Sequence, residues 1–381
     1  MKILRRLLKV GLKFLKGLAV VVAVIAIAVT AVIQTAGSPD FVAPKAAFDA
    51  TPVDTGHFAH EKAQLADYYR SEEQTVLTLP EWYLVYNPLE YAGFLAGGTN
   101  PGDFPFFQSI DEYWSLYDKA VTTAAEYGVD NDDYILMLRV IGISTTVEFM
   151  LKGLYEKSVG RFTRWTAGNV DTREDRIIAA AHKAYSDLLV DEVWYVFDFD
   201  RWSDKIWRDT SFFGDNFLRK IERKIFFTLE FRFKAFYARL IADAAAATAD
   251  GESSGLIYIE AMLPVDRDPS FDGEVTLVAR EGRRVLLACP RWGGFTRSLP
   301  LLLAAGVVID NVSGNDRIAV SYLIDQHAAE AVHRGEFLFD SRLVTSADRA
   351  RQVRLVSFAD LADLLAEIDR SGGTLEHIYD Y

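Results

Sequence analysis

The sequence predicts an α+β protein: an N-terminal transmembrane helix, a mainly helical domain, then a small ferredoxin-like α+β domain. Three observations carry this. An apolar run without charge extends from Gly17 to Ile33. From about His57 to Asp250 apolar residues recur at three and four, the period of a helix. Beyond the turn-rich stretch 249–255 the period becomes two and β-branched residues dominate, as in strands. The resulting boundaries are 1–36 for the basic N-terminus and signal-anchor, 37–56 for a tether, 57–250 for the helical domain and 251–381 for the α+β domain.

The apolar run sits at a charge switch. Residues 1–39 hold Lys2, Arg5, Arg6, Lys9, Lys13 and Lys16 and no acid, so 35 of the 41 basic and all 54 acidic side chains lie beyond, a net −19. Basic residues before a span and acidic ones after it predict a cytoplasmic N-terminus, with the bulk of the chain outside the cytoplasm. Seventeen residues are near the short end of a spanning helix at about 1.5 Å rise per residue. A cleaved secretory signal has a shorter core, of about 7–15 apolar residues, and the length here favours an uncleaved anchor. The chain is thus expected in the cell membrane as a single-pass protein, periplasmic if the cell is Gram-negative. A lone cysteine, Cys289, excludes an internal disulfide and any cysteine-based metal cluster within one chain. The net charge of −13 and the exported location argue against nucleic acid as a partner.

Residues 37–56 are rich in Gly, Pro, Ser, Asp and Thr and read as a flexible connection. Asn87-Pro88-Leu89-Glu90 reads as a helix start, with Asn as cap and Pro at the first position. Helices are predicted from about Phe106 to Tyr127, Asp132 to Lys157 and Arg173 to Phe197. One or two more follow over Asp204–Ala249, with Gly214 as the break. Predicted strands are Leu256–Leu263, Glu274–Ala279, Arg284–Ala288, Val307–Val312, Arg317–Leu323, Gln352–Val356 and Leu375–Tyr379. Helices are expected at Phe295–Ala305 and at Phe358–Ser371, the latter capped by Ser357.

Motifs that would name a reaction are nearly absent. Gly251-Glu-Ser-Ser-Gly255 matches a nucleophile elbow in letters only, since a helix precedes it and a strand follows, the reverse of what that elbow needs. His57, His60 and Glu61 share a helical face but lack a third cluster of ligands, so no metal is predicted. No cofactor is predicted either. Glu148, in the otherwise uncharged stretch 141–151, must be paired or hold a proton, because a bare buried carboxylate is too costly. It is the first candidate acid or base, with His182 as a second, and a salt bridge to Lys152 one turn on is the favoured alternative. Asp198 and Asp200 read as a helix-end turn.

Two aromatic stretches, 81–91 and 111–117, place Trp82, Tyr83, Tyr91, Tyr113 and Trp114 close together, the kind of rings that line contact surfaces. Residues 217–241 hold seven basic and two acidic side chains around an apolar stripe running from Leu218 to Leu240. Two placements compete. On a membrane surface, Arg219, Lys220, Arg223, Lys224 and Phe227 would face the bilayer. In the bundle the stripe would be buried, and its width favours that. The function expected from these features is binding or scaffolding in the cell envelope with an envelope protein as partner. The alternative is an envelope enzyme using a buried carboxylate on a lipid-derived or small apolar substrate.

Overall fold

The computed structural model describes residues 52–65, 68–70, 75–129, 131–248, 255–264 and 274–381. The predicted anchor, the tether up to Thr51 and the elbow-like motif before Gly255 lie outside them. The described chain is α+β, with helices first and two antiparallel sheets after.

Among the described residues, one helical turn at Ala59–Lys62 and seven longer helices precede the strands: α1 (Thr78–Ala96), α2 (Phe106–Glu126), α3 (Asp132–Tyr155), α4 (Arg161–Thr166), α5 (Arg173–Leu189), α6 (Phe199–Arg208) and α7 (Phe217–Thr248). A single π turn, Glu156–Gly160, joins α3 to α4 as one rod. Caps account for several starts. Asn131 accepts from the Tyr134 N–H ahead of α3, Thr172 and Asp175 form a reciprocal capping box on α5, and Asp198 accepts from the Arg201 N–H on α6. The break before α7 falls at Gly214, whose φ of 110° lies where a side chain would be strained.

The expected start at Asn87 is corrected. Helix α1 begins at Thr78 and carries Pro88 in its interior, while Asn87 is buried and donates to the Tyr83 hydroxyl at 3.1 Å. Leu79, Tyr83 and Tyr86 all bury on one side of α1. The apolar area of these residues offsets the roughly 3 kcal/mol that an interior proline costs. The predicted helix Arg173–Phe197 also ends early, at Leu189, and α6 begins at Phe199.

The strand-bearing part contains β1 (Leu256–Met262), β2 (Thr276–Glu281), β3 (Arg284–Pro290), α8 (Gly293–Ala304) and β4 (Val308–Val312). It continues through β5 (Arg317–Asp325), β6 (Glu336–Leu343), β7 (Ser346–Ser357), α9 (Phe358–Arg370) and β8 (Thr374–Ile378). One sheet has the order β2-β3-β1-β4, the other β6-β7-β5-β8. These are the same arrangement twice: a first strand, a hairpin pair, a helix directly after the third strand, and a fourth strand pairing with the first. All pairings are antiparallel. The single sheet expected from the sequence is therefore two. The strand missed, β6, alternates in burial from Phe339 to Leu343, but its buried face includes Ser341 while Phe337 is exposed, so its residue types do not alternate.

Alternation explains the layers. Ile257, Ile259 and Ala261 of β1, with Ile318, Val320, Tyr322 and Ile324 of β5, share one core with Leu299 of α8 and Leu361 of α9. The opposite face of the second sheet, through Ala319, Val353 and Leu355, packs on Tyr83 of α1 and Tyr113 of α2. The opposite face of the first sheet is covered by Phe58 and Tyr68 of the N-terminal segment. On that face Glu260 is buried, ion-paired to Lys62, and accepts from Thr55 and from the Tyr68 hydroxyl at 2.7 Å. Burial works against its ionised form, but these bonds outweigh that and lower its pKa. The variant Tyr68→Phe is expected to lose about 1.5–3 kcal/mol of stability, the worth of a hydrogen bond to a charged group. Limited proteolysis should then cut residues 52–70 faster, whereas an unchanged cutting rate would show that this segment is held by its apolar contacts alone.

Candidate functional site

The long rod α3–α4 and helix α7 run antiparallel, and between them lies a ladder of polar contacts. From one end, Lys234 meets Glu148 at 2.7 Å, Lys152 meets Glu230 at 2.9 Å, and Tyr155 stacks on Phe226 with ring centroids 3.4 Å apart. Next, Arg223 grips Glu156 with two bonds of 2.8 and 2.9 Å and also reaches Glu222 at 2.9 Å. At the far end Arg219 bonds Asp175 at 2.6 Å, the Gly160 carbonyl at 2.9 Å and the Thr163 hydroxyl at 3.1 Å. Arg219 and Arg223 are fully buried. Burial opposes the Arg223 cation, but Glu156 more than compensates and raises its pKa. Asp175 is lowered, because Arg219 and Arg223 outweigh its burial. Glu222 is raised by burial, only partly countered by Arg223.

This ladder decides the membrane-facing set. Arg219, Arg223, Lys224 and Phe227 point into the protein, so they cannot lie against a bilayer. Lys224 bonds the Thr210 and Ser211 carbonyls, and half-buried Lys220 bonds the Ser211 hydroxyl and the Phe213 carbonyl at 3.2 Å. Both lysines thereby pin the loop between α6 and α7. The bundle placement holds for the paired arginines and for Phe227, Phe231, Ala235 and Ala238, which bury against α5 and α6, but it is corrected for the stripe itself, which remains exposed. Leu218, Ile225, Leu229, Phe233, Phe236 and Leu240 are all exposed, Phe233 at 65%. The neighbouring rod shows Met150, Leu151, Leu154, Phe162 and Trp165, the last at 67% exposure, and the pinned loop shows Phe213 at 74%. Between α7 and the rod the contact is thus mainly charged, α7 buries Phe227, Phe231, Ala235 and Ala238 against α5 and α6, and a further apolar stripe on each helix faces outward. Asp132–Thr166 is also long and apolar enough to cross a membrane by length and composition, which is weak evidence taken alone.

The candidate acid and base are not brought together. Glu148 has a side chain 41% exposed and pairs with Lys234 rather than with Lys152. His182 is buried, its Nε2 3.5 Å from the Lys152 ammonium. Its pKa is held well below the ordinary histidine value by burial and then by Lys152 and Lys234, which keeps the imidazole neutral. Sequence spacing favoured Lys152 as the Glu148 partner, but Glu230 sits nearer Lys152.

The aromatic stretches are mainly core. Tyr83, Tyr91 and Tyr113 are buried, so they do not form an open contact surface. Tyr83 donates to the Ser109 carbonyl, Tyr113 to the Leu138 carbonyl, and the face of Tyr91 receives the Lys152 ammonium 4.4 Å from the ring centroid. Trp82 and Trp114 are half-buried; Trp82 stacks on His377 and Trp114 donates to Thr146. Asp200 does not close a helix-end turn but pairs with Arg232 and Arg239 of α7.

A second buried charge group joins α1 and α2 to the second sheet, and sequence reasoning missed it. Arg351 of β7 binds Glu376 of β8 through two bonds of 2.6 and 2.9 Å and lies 3.8 Å from Glu90 and 3.7 Å from Glu112. Three carboxylates thus face one guanidinium. Glu112 is pushed up to about 7 by burial and by Glu90, and Glu90 is raised by burial. These residues are too far apart in sequence for spacing to link them.

A cavity of about 210 Å³ opens between the end of α1, α4 and the start of α5, lined by Tyr91, Leu95, Arg164, Asp175, Ile178 and Arg223 among others. Its arginines are engaged, Arg164 with Asp171 at 2.5 Å and Arg223 with Glu156. Neither Glu148 nor His182 lines it. Among the described residues no group of three or more His, Cys, Asp or Glu side chains is placed to hold a metal ion. Cys289 is buried and its thiol is pushed up to about 12 by burial, so it is not a reactive nucleophile. No protein-family model, curated protein or solved structure matches the chain.

Proposed function

We infer that the protein is a single-pass, membrane-anchored protein of the cell envelope whose extracytoplasmic part binds or scaffolds rather than catalyses. The observation that carries this reading is the exposed apolar face of α7 and the α3–α4 rod, backed by a closed ladder of ion pairs. Soluble monomers rarely leave a contiguous apolar face larger than a few hundred Å² uncovered, and such faces mark binding surfaces. The anchor at Gly17–Ile33 supplies the location, and an envelope protein or the membrane itself is the partner class. The enzyme alternative draws no support from its two residues, since Glu148 is ion-paired at the surface and His182 is neutral and sealed away from the cavity. On fold and organisation, we take each half of the strand-bearing part as a ferredoxin-like variant lacking the helix after its first strand. The helical part, 57–250, and the strand-bearing part, 251–381, are read as the two domains.

The topology is tested by fusing alkaline phosphatase, active only outside the cytoplasm, after Tyr381. Activity in intact cells is expected. A cytoplasmic-only reporter fused at the same site becoming active would remove the premise.

A further inference from the structure

We propose that the apolar face formed by α7, the α3–α4 rod and the Phe213 loop lies in the bilayer surface as a second membrane contact of the folded part. The proposal rests on the membrane-anchored reading and names the occupant of its binding face as lipid.

The first argument is the direction of the helices. In water an amphipathic helix turns its apolar stripe inward and its charges outward. Helix α7 does turn Phe227 and Phe231 inward onto α5 and α6, but over its contact with the α3–α4 rod the reverse holds, and a second apolar stripe is left facing out. Charges facing a partner helix, paired with one another, and apolar side chains facing out are what a hydrocarbon environment selects. The six exposed stripe residues run from Leu218 to Leu240, about 33 Å along the helix axis at 1.5 Å per residue. That is a long strip for a small partner, and it suits a helix lying in the interface plane with its apolar face sunk ~5–10 Å.

The second argument is how the aromatic end is presented. Phe213 projects from a loop whose carbonyls are bonded by Lys220 and Lys224, and its ring stacks on Phe217 at 6.2 Å. Close by, Thr163 of α4 accepts from Arg219 of α7, and on either side of that contact Trp165, Phe162 and Leu218 stand exposed. Rigid aromatic rings at one end of an apolar strip are interfacial anchors, because their large faces favour the headgroup boundary. Lys157 lies exposed between the exposed residues Leu154 and Phe162, where anionic headgroups would meet it, while neighbouring Arg161 is exposed but paired with Asp103.

The third argument is reach. The described chain starts at Pro52, and Val53 is fixed by its N–H to the Gly314 carbonyl at 2.8 Å. The 18 residues from Gln34 to Thr51 extend at most ~65 Å at 3.3–3.6 Å each. A chain whose apolar run enters the bilayer therefore keeps its folded part within that distance of it. Membrane contact by the face then needs little further loss of freedom.

The test uses the full chain in vesicles of phosphatidylcholine and phosphatidylglycerol. Buried Cys289 stays unlabelled, so single cysteines introduced by Phe213→Cys, Leu229→Cys and, as a control, Asp348→Cys take an environment-sensitive dye. Dye at 213 and 229 is expected to be quenched by nitroxide-bearing lipid and to resist iodide severalfold better than dye at 348. Dye shielded from iodide yet untouched by the lipid nitroxide would overturn the lipid assignment and leave a protein occupant, either a second copy, the chain's own apolar segment or another envelope protein. Dye at 213 and 229 as open to iodide as at 348 would sink both this proposal and the binding role of the face.

Discussion

Replacing Arg223 by alanine is expected to cost about 3–5 kcal/mol of folding stability, which is the usual result of removing one partner from a buried ion pair. Arg223 holds Glu156 by two bonds, reaches Glu222, and lies 5.5 Å from the Tyr155 ring. Without it, Glu156 and Glu222 are left buried with only Arg219 and Thr163 nearby. A domain has about 5–15 kcal/mol in total, so this loss is a large part of it. Chemical unfolding of the full chain in detergent, followed by tryptophan fluorescence, reads the effect. The double variant Arg223→Met with Glu156→Leu separates the pair's net worth from the cost of orphaning one charge, and recovery of most of the stability is expected. If Arg223 instead touched lipid, the single variant would weaken membrane contact and leave the unfolding midpoint unchanged.

The same residues show what a sequence can and cannot convey. Period and turn residues placed Phe106–Glu126, the start of α9 at Ser357 and the break at Gly214 close to where they fall. They did so because caps, glycines and hydrophobic spacing act locally. The stripe Leu218–Leu240 was also legible as a stripe. Which way it faces was not, since an amphipathic period says which side chains share a face and nothing about what lies opposite. That depended on Glu148, Glu156 and Asp175, three carboxylates from α3, the π turn and α5 that only tertiary packing sets against α7. Exposed Phe213 had a local signal, two adjacent aromatics before Gly214 in a loop with no core to fill. The twofold repetition of the sheet order was hidden because strand pairing is non-local and because β6, with Ser341 on its buried face and Phe337 exposed, alternates in burial but not in residue type.

The contribution of Glu112 to stability should fall as pH rises from about 4.5 to about 7, opposite in sign to that of His182 and His377, whose imidazoles burial holds well below their ordinary value. Its carboxyl is pushed up to about 7 by burial and by Glu90, against an unfolded value near 4.3. The folded chain therefore binds this proton where the unfolded chain has released it. The stabilisation is complete below about pH 4.5 and is lost as pH climbs through the folded value. A shift of that size corresponds to something on the order of 3 kcal/mol. Glu90, raised by burial, acts in the same direction. Asp175, Glu230 and Glu260 are lowered and act oppositely, but their contribution is lost only on acidification below the ordinary carboxylate range. The physical origin is burial first, and then too little positive charge to offset it: Arg351 is engaged by Glu376 through two bonds, and its remaining reach is shared at 3.8 and 3.7 Å by two further carboxylates. The Tyr83 and Ser341 hydroxyls bond Glu112 at 3.1 and 3.2 Å but do not replace a cation. Glu112→Gln keeps the shape and both hydrogen-bonding positions while removing the proton equilibrium. It is expected to match the parent at pH 5, to exceed it by about 2–3 kcal/mol at pH 8, and to lose the Glu112 share of the slope between. Unfolding free energies at those two pH values decide the matter. Parallel pH profiles for parent and variant would mean that Arg351 keeps Glu112 ionised and that the carboxyl contact closing the helices onto the second sheet is an ordinary ion pair.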